Sequence, residues 1–123
     1  MKPRSLIPAF IFAISLAIAG PAFAEFGALA RDDSTSKFGL SSNEETQKKA
    51  DEVAVKECGS DNCKIVFQMS PKECGAIATA ESSGTAWGAG KKSSKAGAEL
   101  QAMQNCQKRT KGQCKVQTSE CNK

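Results

Sequence analysis

Six cysteines carry most of the reactive chemistry open to this chain: Cys58, Cys63, Cys74, Cys106, Cys114 and Cys121. Thiols at such positions can serve as nucleophiles, as metal ligands or as halves of disulfides. The sequence contains no histidine, which excludes Cys-His and Ser-His-Asp catalysis and removes the usual partner ligand of a structural zinc site. No Cys-x-x-Cys occurs either, so neither a metal nor a cofactor is expected. An even number of cysteines suits three disulfides.

The remaining candidates for chemistry are weaker. Paired carboxylates hydrolyse glycosides, but Glu44, Glu45, Asp51 and Glu52 gather where a helix is expected to begin, and acids there cap the helix or face solvent. Gly84, Gly88 and Gly90 precede Lys91-Lys92 without the Gly-x-x-x-x-Gly-Lys spacing of a phosphate loop. A non-enzymatic protein is expected.

The cysteines are positioned by an internal repeat. Phe26-Gly27-Ala28-Leu29-Ala30, Phe38-Gly39, Ala50-Asp51, Ala54 and Cys58 return in order as Cys74-Gly75-Ala76-Ile77-Ala78, Trp87-Gly88, Ala98-Glu99, Ala102 and Cys106. A duplicated unit should duplicate its local bridge. Cys58 and Cys106 are equivalent, and each is soon followed by a partner, which predicts Cys58–Cys63 and Cys106–Cys114 and leaves Cys74–Cys121. Closing the longest loop should make the last bridge the most stabilising, at about 3–4 kcal/mol.

The chain begins with features that are not part of a fold. Lys2 and Arg4 precede the apolar stretch Leu6 to Ala19, Gly20-Pro21 breaks it, and Ala22-Phe23-Ala24 has the small-residue pattern of a cleavage site. Residues 1–24 are therefore read as a signal peptide cut after Ala24, and residues 25–123 as one exported domain, periplasmic or secreted. A domain that small, rich in Ala and Gly, needs disulfides to support a thin core.

Within residues 25–123, Phe26 to Arg31 and Lys37 to Leu40 read as a hairpin, and Ser42 with Glu45 as a capping box opening a helix that ends at Gly59. Cys63 to Met69 reads as a strand. The second copy gives Cys74 to Glu81, a turn at Ser82-Ser83-Gly84, and a return strand over Ala86 to Ala89. A helix capped by Ser93 or Ser94 follows, then a strand from Cys114 to Ser119. The predicted fold is α+β: two tandem β-β-α-β repeats, about 26–73 and 74–121, in one sheet of about six strands with two helices on one face.

The doubled pattern of Cys or aromatic-Gly-Ala-x-Ala, aromatic-Gly and Ala-Glu-x-x-Ala-x-x-x-Cys resembles a family of small secreted bacterial proteins known only as a domain of unknown function. The resemblance spans Phe26 to Cys121 and is carried best by Trp87-Gly88 and by Ala98 to Cys106. In the first copy Phe26 stands for Cys, Phe38 for Trp and Asp51 for Glu. It implies export and a shared fold, and it brings no activity with it.

Charge differs between the copies. Residues 25–74 hold ten acids and seven bases, and residues 75–123 three acids and eight bases. Lys91, Lys92 and Lys95 precede the second helix, and Lys108, Arg109, Lys111 and Lys115 follow it. Ordinary solvation accounts for such a pattern, but so does steering of an acidic partner, and Lys91, Lys92, Lys95, Lys108 and Lys111 are the candidate binding residues. No aromatic residues interleave with them, so nucleic acid is not an expected partner. Two roles follow as expectations. One is an interaction protein that inhibits, or gives immunity against, an envelope enzyme; the other is a surface module for anionic glycan or lipid head groups.

Overall fold

The computed structural model describes residues 25–82 and 85–123; the expected signal peptide over 1–24 and most of the Ser82-Ser83-Gly84 turn lie outside them. The first unit runs β1 (Phe26–Arg31), β2 (Phe38–Glu44), α1 (Gln47–Cys58) and β3 (Lys64–Met69). The second runs β4 (Cys74–Ala80), β5 (Trp87–Lys92), α2 (Lys95–Gln107) and β6 (Cys114–Cys121). The fold class is α+β, stapled by disulfides between Cys58 and Cys63, Cys74 and Cys121, and Cys106 and Cys114.

The expected single sheet is not formed. The strands make two three-stranded antiparallel sheets, ordered β2-β1-β3 and β5-β4-β6. Nor do the helices share a face, for each covers its own sheet. The reason lies in the central strands, which are apolar on both sides. Ala28 and Ala30 of β1 pack with Ala50, Ala54 and Cys58 of α1. Leu29, pointing the other way, meets Leu40, Met69 and, from the second sheet, Ile77. In β4 the division repeats: Ala76, Ala78 and Ala80 lie with Ala98, Ala102 and Cys106 of α2. A strand apolar on both faces must be covered twice. The layers therefore stack as α1, first sheet, second sheet, α2.

Small residues set how closely each helix sits. A side chain at Gly39 would collide with the backbone of Ala54 and Cys58, and one at Gly88 with that of Ala102 and Cys106. Each helix rests on a glycine of the second strand of its own unit, which is why Ala and Cys line the facing side. Gly59 ends α1 at φ 79°, in the left-handed region open to glycine, and its N–H bonds the Val55 carbonyl.

The start of α1 differs from the expected Ser42 cap. Strand β2 continues to Glu44, which pairs with Phe26, so Ser42 is used in the strand. Thr46 caps instead, its hydroxyl accepting from the Lys49 N–H at 3.0 Å. Ser94 caps α2 through the Gly97 N–H, also at 3.0 Å. Strand β5 begins and ends later than the expected Ala86 to Ala89, and this places Lys91 and Lys92 in the sheet.

One residue near the chain end joins the two units. Asn122 is buried; its Oδ1 accepts from the Asn43 N–H at 2.9 Å, and its Nδ2 donates to the Ser70 carbonyl at 2.9 Å and the Met69 carbonyl at 3.3 Å. It thereby holds the end of β2 and the end of β3 against β6, next to the Cys74–Cys121 bridge.

Candidate functional site: a cationic hollow between the units

The five candidate lysines do not form one cluster. Lys91 and Lys92 end β5, and Lys95 opens α2. Lys108 caps its far end, with Lys111 in the turn beyond. The 13 residues of α2 separate Lys95 from Lys108 by about 20 Å. Lys91 is turned toward the first unit, its Nζ donating to the Gln68 carbonyl at 3.0 Å. Lys108 also has a local role, since a cation at a helix C-terminus complements the helix dipole.

Lys108 does join another group. With Arg109, Asn105, Trp87, Ala89 and Val66 it lines an open hollow of about 340 Å³. The hollow lies where the second sheet meets the first: Trp87 and Ala89 come from β5, Val66 from β3, and the rest from the end of α2. The Arg31 guanidinium lies 4.5 Å from the centre of the Trp87 ring and that of Arg109 4.8 Å. Arg31 is 4 % exposed and forms an ion pair with Asp33, whereas Arg109 is exposed. Burial lowers the Arg31 pKa, and the neighbouring Arg109 charge lowers it further against the opposing pull of Asp33. Two guanidiniums thus share one indole under mutual repulsion, and an anion entering the hollow would relieve it.

A second hollow of about 240 Å³ lies beyond Arg31, lined by Asp32, Asp33, Ser34, Asn62 and Lys64. Asp32 is 1 % exposed. It accepts from the Ser34 N–H at 2.8 Å, the Ser34 hydroxyl at 2.6 Å, the Thr35 hydroxyl at 2.9 Å and the Ser60 hydroxyl. Hydrogen bonds from Ser34 and Ser60, opposed by burial, hold its carboxyl far below the usual carboxylate range. With its lone pairs occupied, Asp32 fixes the β1–β2 turn to the end of α1 and is not poised as an acid or base. The acids weighed for glycoside chemistry are likewise engaged or at the surface: Asp51 accepts from Gln47 at 3.0 Å and Gln68 at 2.9 Å, and Glu45 and Glu52 are exposed.

Sequence reasoning placed Lys108 among the candidates but missed Trp87, Arg31 and Val66. No local signal joins Arg31 to Trp87, because they meet only when the two sheets stack. The weak clue was chemical: a lone tryptophan in a chain of small residues, with arginines the rarer of its two cations.

Among the described residues no helix is long and apolar enough to cross a membrane, and three disulfides suit an oxidising compartment. No curated protein matches the chain. The fold is similar to the NMR structure of Rv1813c from Mycobacterium tuberculosis, at 24% identity over 99% of this chain and 95% of that one, with a TM-score of 0.58. The model of the family described as "Domain of unknown function (DUF4189)" matches residues 26–121. Both units and all three bridges fall within that match, and the chain belongs to this family.

Proposed function

We propose that this is an exported, non-enzymatic interaction protein that binds an acidic protein partner in the envelope or outside the cell. An inhibitor of an envelope enzyme, or an immunity factor against one, would act in this way. The supporting observation is the hollow at Trp87, where Lys108 and the stacked Arg109 present charge to solvent beside Arg31. Cations held by an aromatic ring keep their charge and lose less freedom on binding than cations on free side chains. The periplasmic or secreted location rests on the leader-like residues 1–24 and the bridges.

Capture from the organism's own envelope fraction tests the reading. A stoichiometric protein complex is expected at low salt. Changing Lys108 and Arg109 to Glu should slow association about tenfold or more, because rim charges act mainly on the on-rate. The same change at Lys92 and Lys95, at the far end of α2, should have a smaller effect. Salt-sensitive association with cell-wall material, disrupted equally by either pair, would favour the anionic glycan or lipid reading, which the spread of lysines along both ends of α2 suits.

A further inference from the structure

The hollow opens onto an unpaired strand edge. Among the described residues, strand β3 bonds to β1 on one side and to no strand on the other. It is also the most exposed strand: Lys64, Ile65, Val66 and Gln68 are exposed, whereas β2, the other outer strand of that sheet, exposes one residue. Ile65 and Val66 are 36 % and 38 % exposed. The register between β1 and β3 shifts near Val66, and Val66 lines the hollow with Trp87 and Arg109. At the far end of the strand the Gln68 carbonyl is taken by Lys91 Nζ; among the described residues no strand pairs with the outer edge from Lys64 to Phe67.

Open edges recruit extended chains, and lysines on them repel like edges. Lys64 lies on this one, Lys91 at its end and Lys108 and Arg109 across the hollow, while the nearby carboxylates are engaged, Asp51 by Gln68 and Asp33 by Arg31. A second copy of the same edge therefore meets like charge and an acidic strand the opposite charge. Among the described residues the Arg109 guanidinium has the Trp87 ring as its neighbour and no carboxylate partner.

We propose that the β3 edge is a strand-addition site, at which an extended acidic segment of the partner pairs with the backbone of Lys64 to Phe67 and sets a carboxylate against Arg109 and Lys108 beside Trp87. This rests on the reading that the partner is an acidic protein and adds how it is held: backbone hydrogen bonds give affinity, the cationic hollow gives the choice of side chain.

Three short synthetic peptides test it against the 15N-labelled protein by NMR titration: alternating Thr and Glu, the same with Gln for Glu, and the Thr-Glu peptide with alternate backbone nitrogens methylated. The Thr-Glu peptide should shift the amides of Lys64 to Phe67 and the Trp87 indole N–H. Gln for Glu should weaken binding about tenfold, equivalent to ~1.4 kcal/mol. Methylation on the strand-facing nitrogens should weaken it by about fivefold or more, since each lost hydrogen bond contributes of the order of 1 kcal/mol. Arg109→Ala, checked for an otherwise unchanged spectrum, should erase the preference for Glu over Gln. Glu-dependent binding that ignores methylation, with shifts confined to Lys108 and Arg109, would overturn strand addition while leaving the acidic-partner reading standing. No binding of any peptide at millimolar concentration would overturn both.

Discussion

The two units place the same elements in the same order but fasten them differently. In the first, Asp32 gathers Ser34, Thr35 and Ser60, tying the β1–β2 turn to the end of α1. The buried Ser41 hydroxyl bonds the Ala50 carbonyl at 2.7 Å and accepts from the Ala28 N–H at 3.0 Å, tying both hairpin strands to the helix. The second unit has Ala80 at the position matching Asp32 and relies on covalent links, since Cys74–Cys121 joins β4 to β6 across the sheet. Its outer strand β5 presents Trp87, Lys91 and Lys92 where β2 presents Phe38 and the uncharged Ser42 and Asn43. The shared feature is the seat of each helix on a glycine. The arrangement of small residues is thus the common frame, and the fasteners and surface charges are what each unit varies.

The largest separation between the units should come from the bridges. Cys74–Cys121 closes 47 residues and Cys58–Cys63 closes 5, so loop-closure entropy gives about 4 kcal/mol for the first and about 2 for the second. Paired Ser substitutions, followed by urea unfolding, should show the larger loss for Cys74 and Cys121. Equal losses would mean that the unfolded chain is already compact around the second unit.

Glycine-to-alanine changes at the helix seats should act alike in the two halves. Gly39→Ala and Gly88→Ala each drive a methyl into helix backbone, and overpacking of this kind costs about 1–3 kcal/mol. Matching drops in thermal midpoint are expected. A much milder effect at Gly39 would show that α1 lifts more readily than α2.

Asn122→Ala should loosen the contact between the units, leaving the Asn43 N–H and the Ser70 carbonyl without this partner at a cost of about 2 kcal/mol. Hydrogen exchange at Asn43 should then rise before exchange in either helix-facing core. Uniform acceleration across the chain would instead make Asn122 a support of the whole fold.

The smallest effect expected is a difference in acid response. Asp32 is held well below its ordinary carboxylate value by its hydroxyl donors. Its contribution to stability is complete above the unfolded carboxylate range, near pH 4, and is lost as the pH falls through that range toward the lower folded value. The thermal midpoint should therefore decline on acidification, and Asp32→Asn should flatten that decline. Glu120, which burial raises, acts in the opposite sense above the same range. An unchanged acid limb in the Asn variant would assign the decline to other carboxylates.

Much of the architecture is set locally. The β-β-α-β order follows from alternating β-branched and aromatic runs, cap residues and breakers, each acting over a few residues, and the alanine faces of both helices follow from a spacing of four. The α1 cap shows the limit even at this scale: Ser42 and Glu45 form a sound capping box, but pairing of Glu44 with Phe26 keeps the segment in a strand and passes the cap to Thr46. Only the tertiary structure decided that two sheets stack in place of one continuous sheet. The sequence holds a trace of this in Gly27 to Ala30 and Gly75 to Ala78, runs with no polar alternation, but a run buried on both faces does not say what covers its second face. Here that cover is the other unit, through Leu29, Ile77, Phe67 and Met69. The hollow is a product of the same stacking. Arg31, Val66 and Trp87 come from three different strands and Arg109 from the turn after α2, and they meet because burial of apolar surface drives the sheets together, an interaction without direction or sequence register.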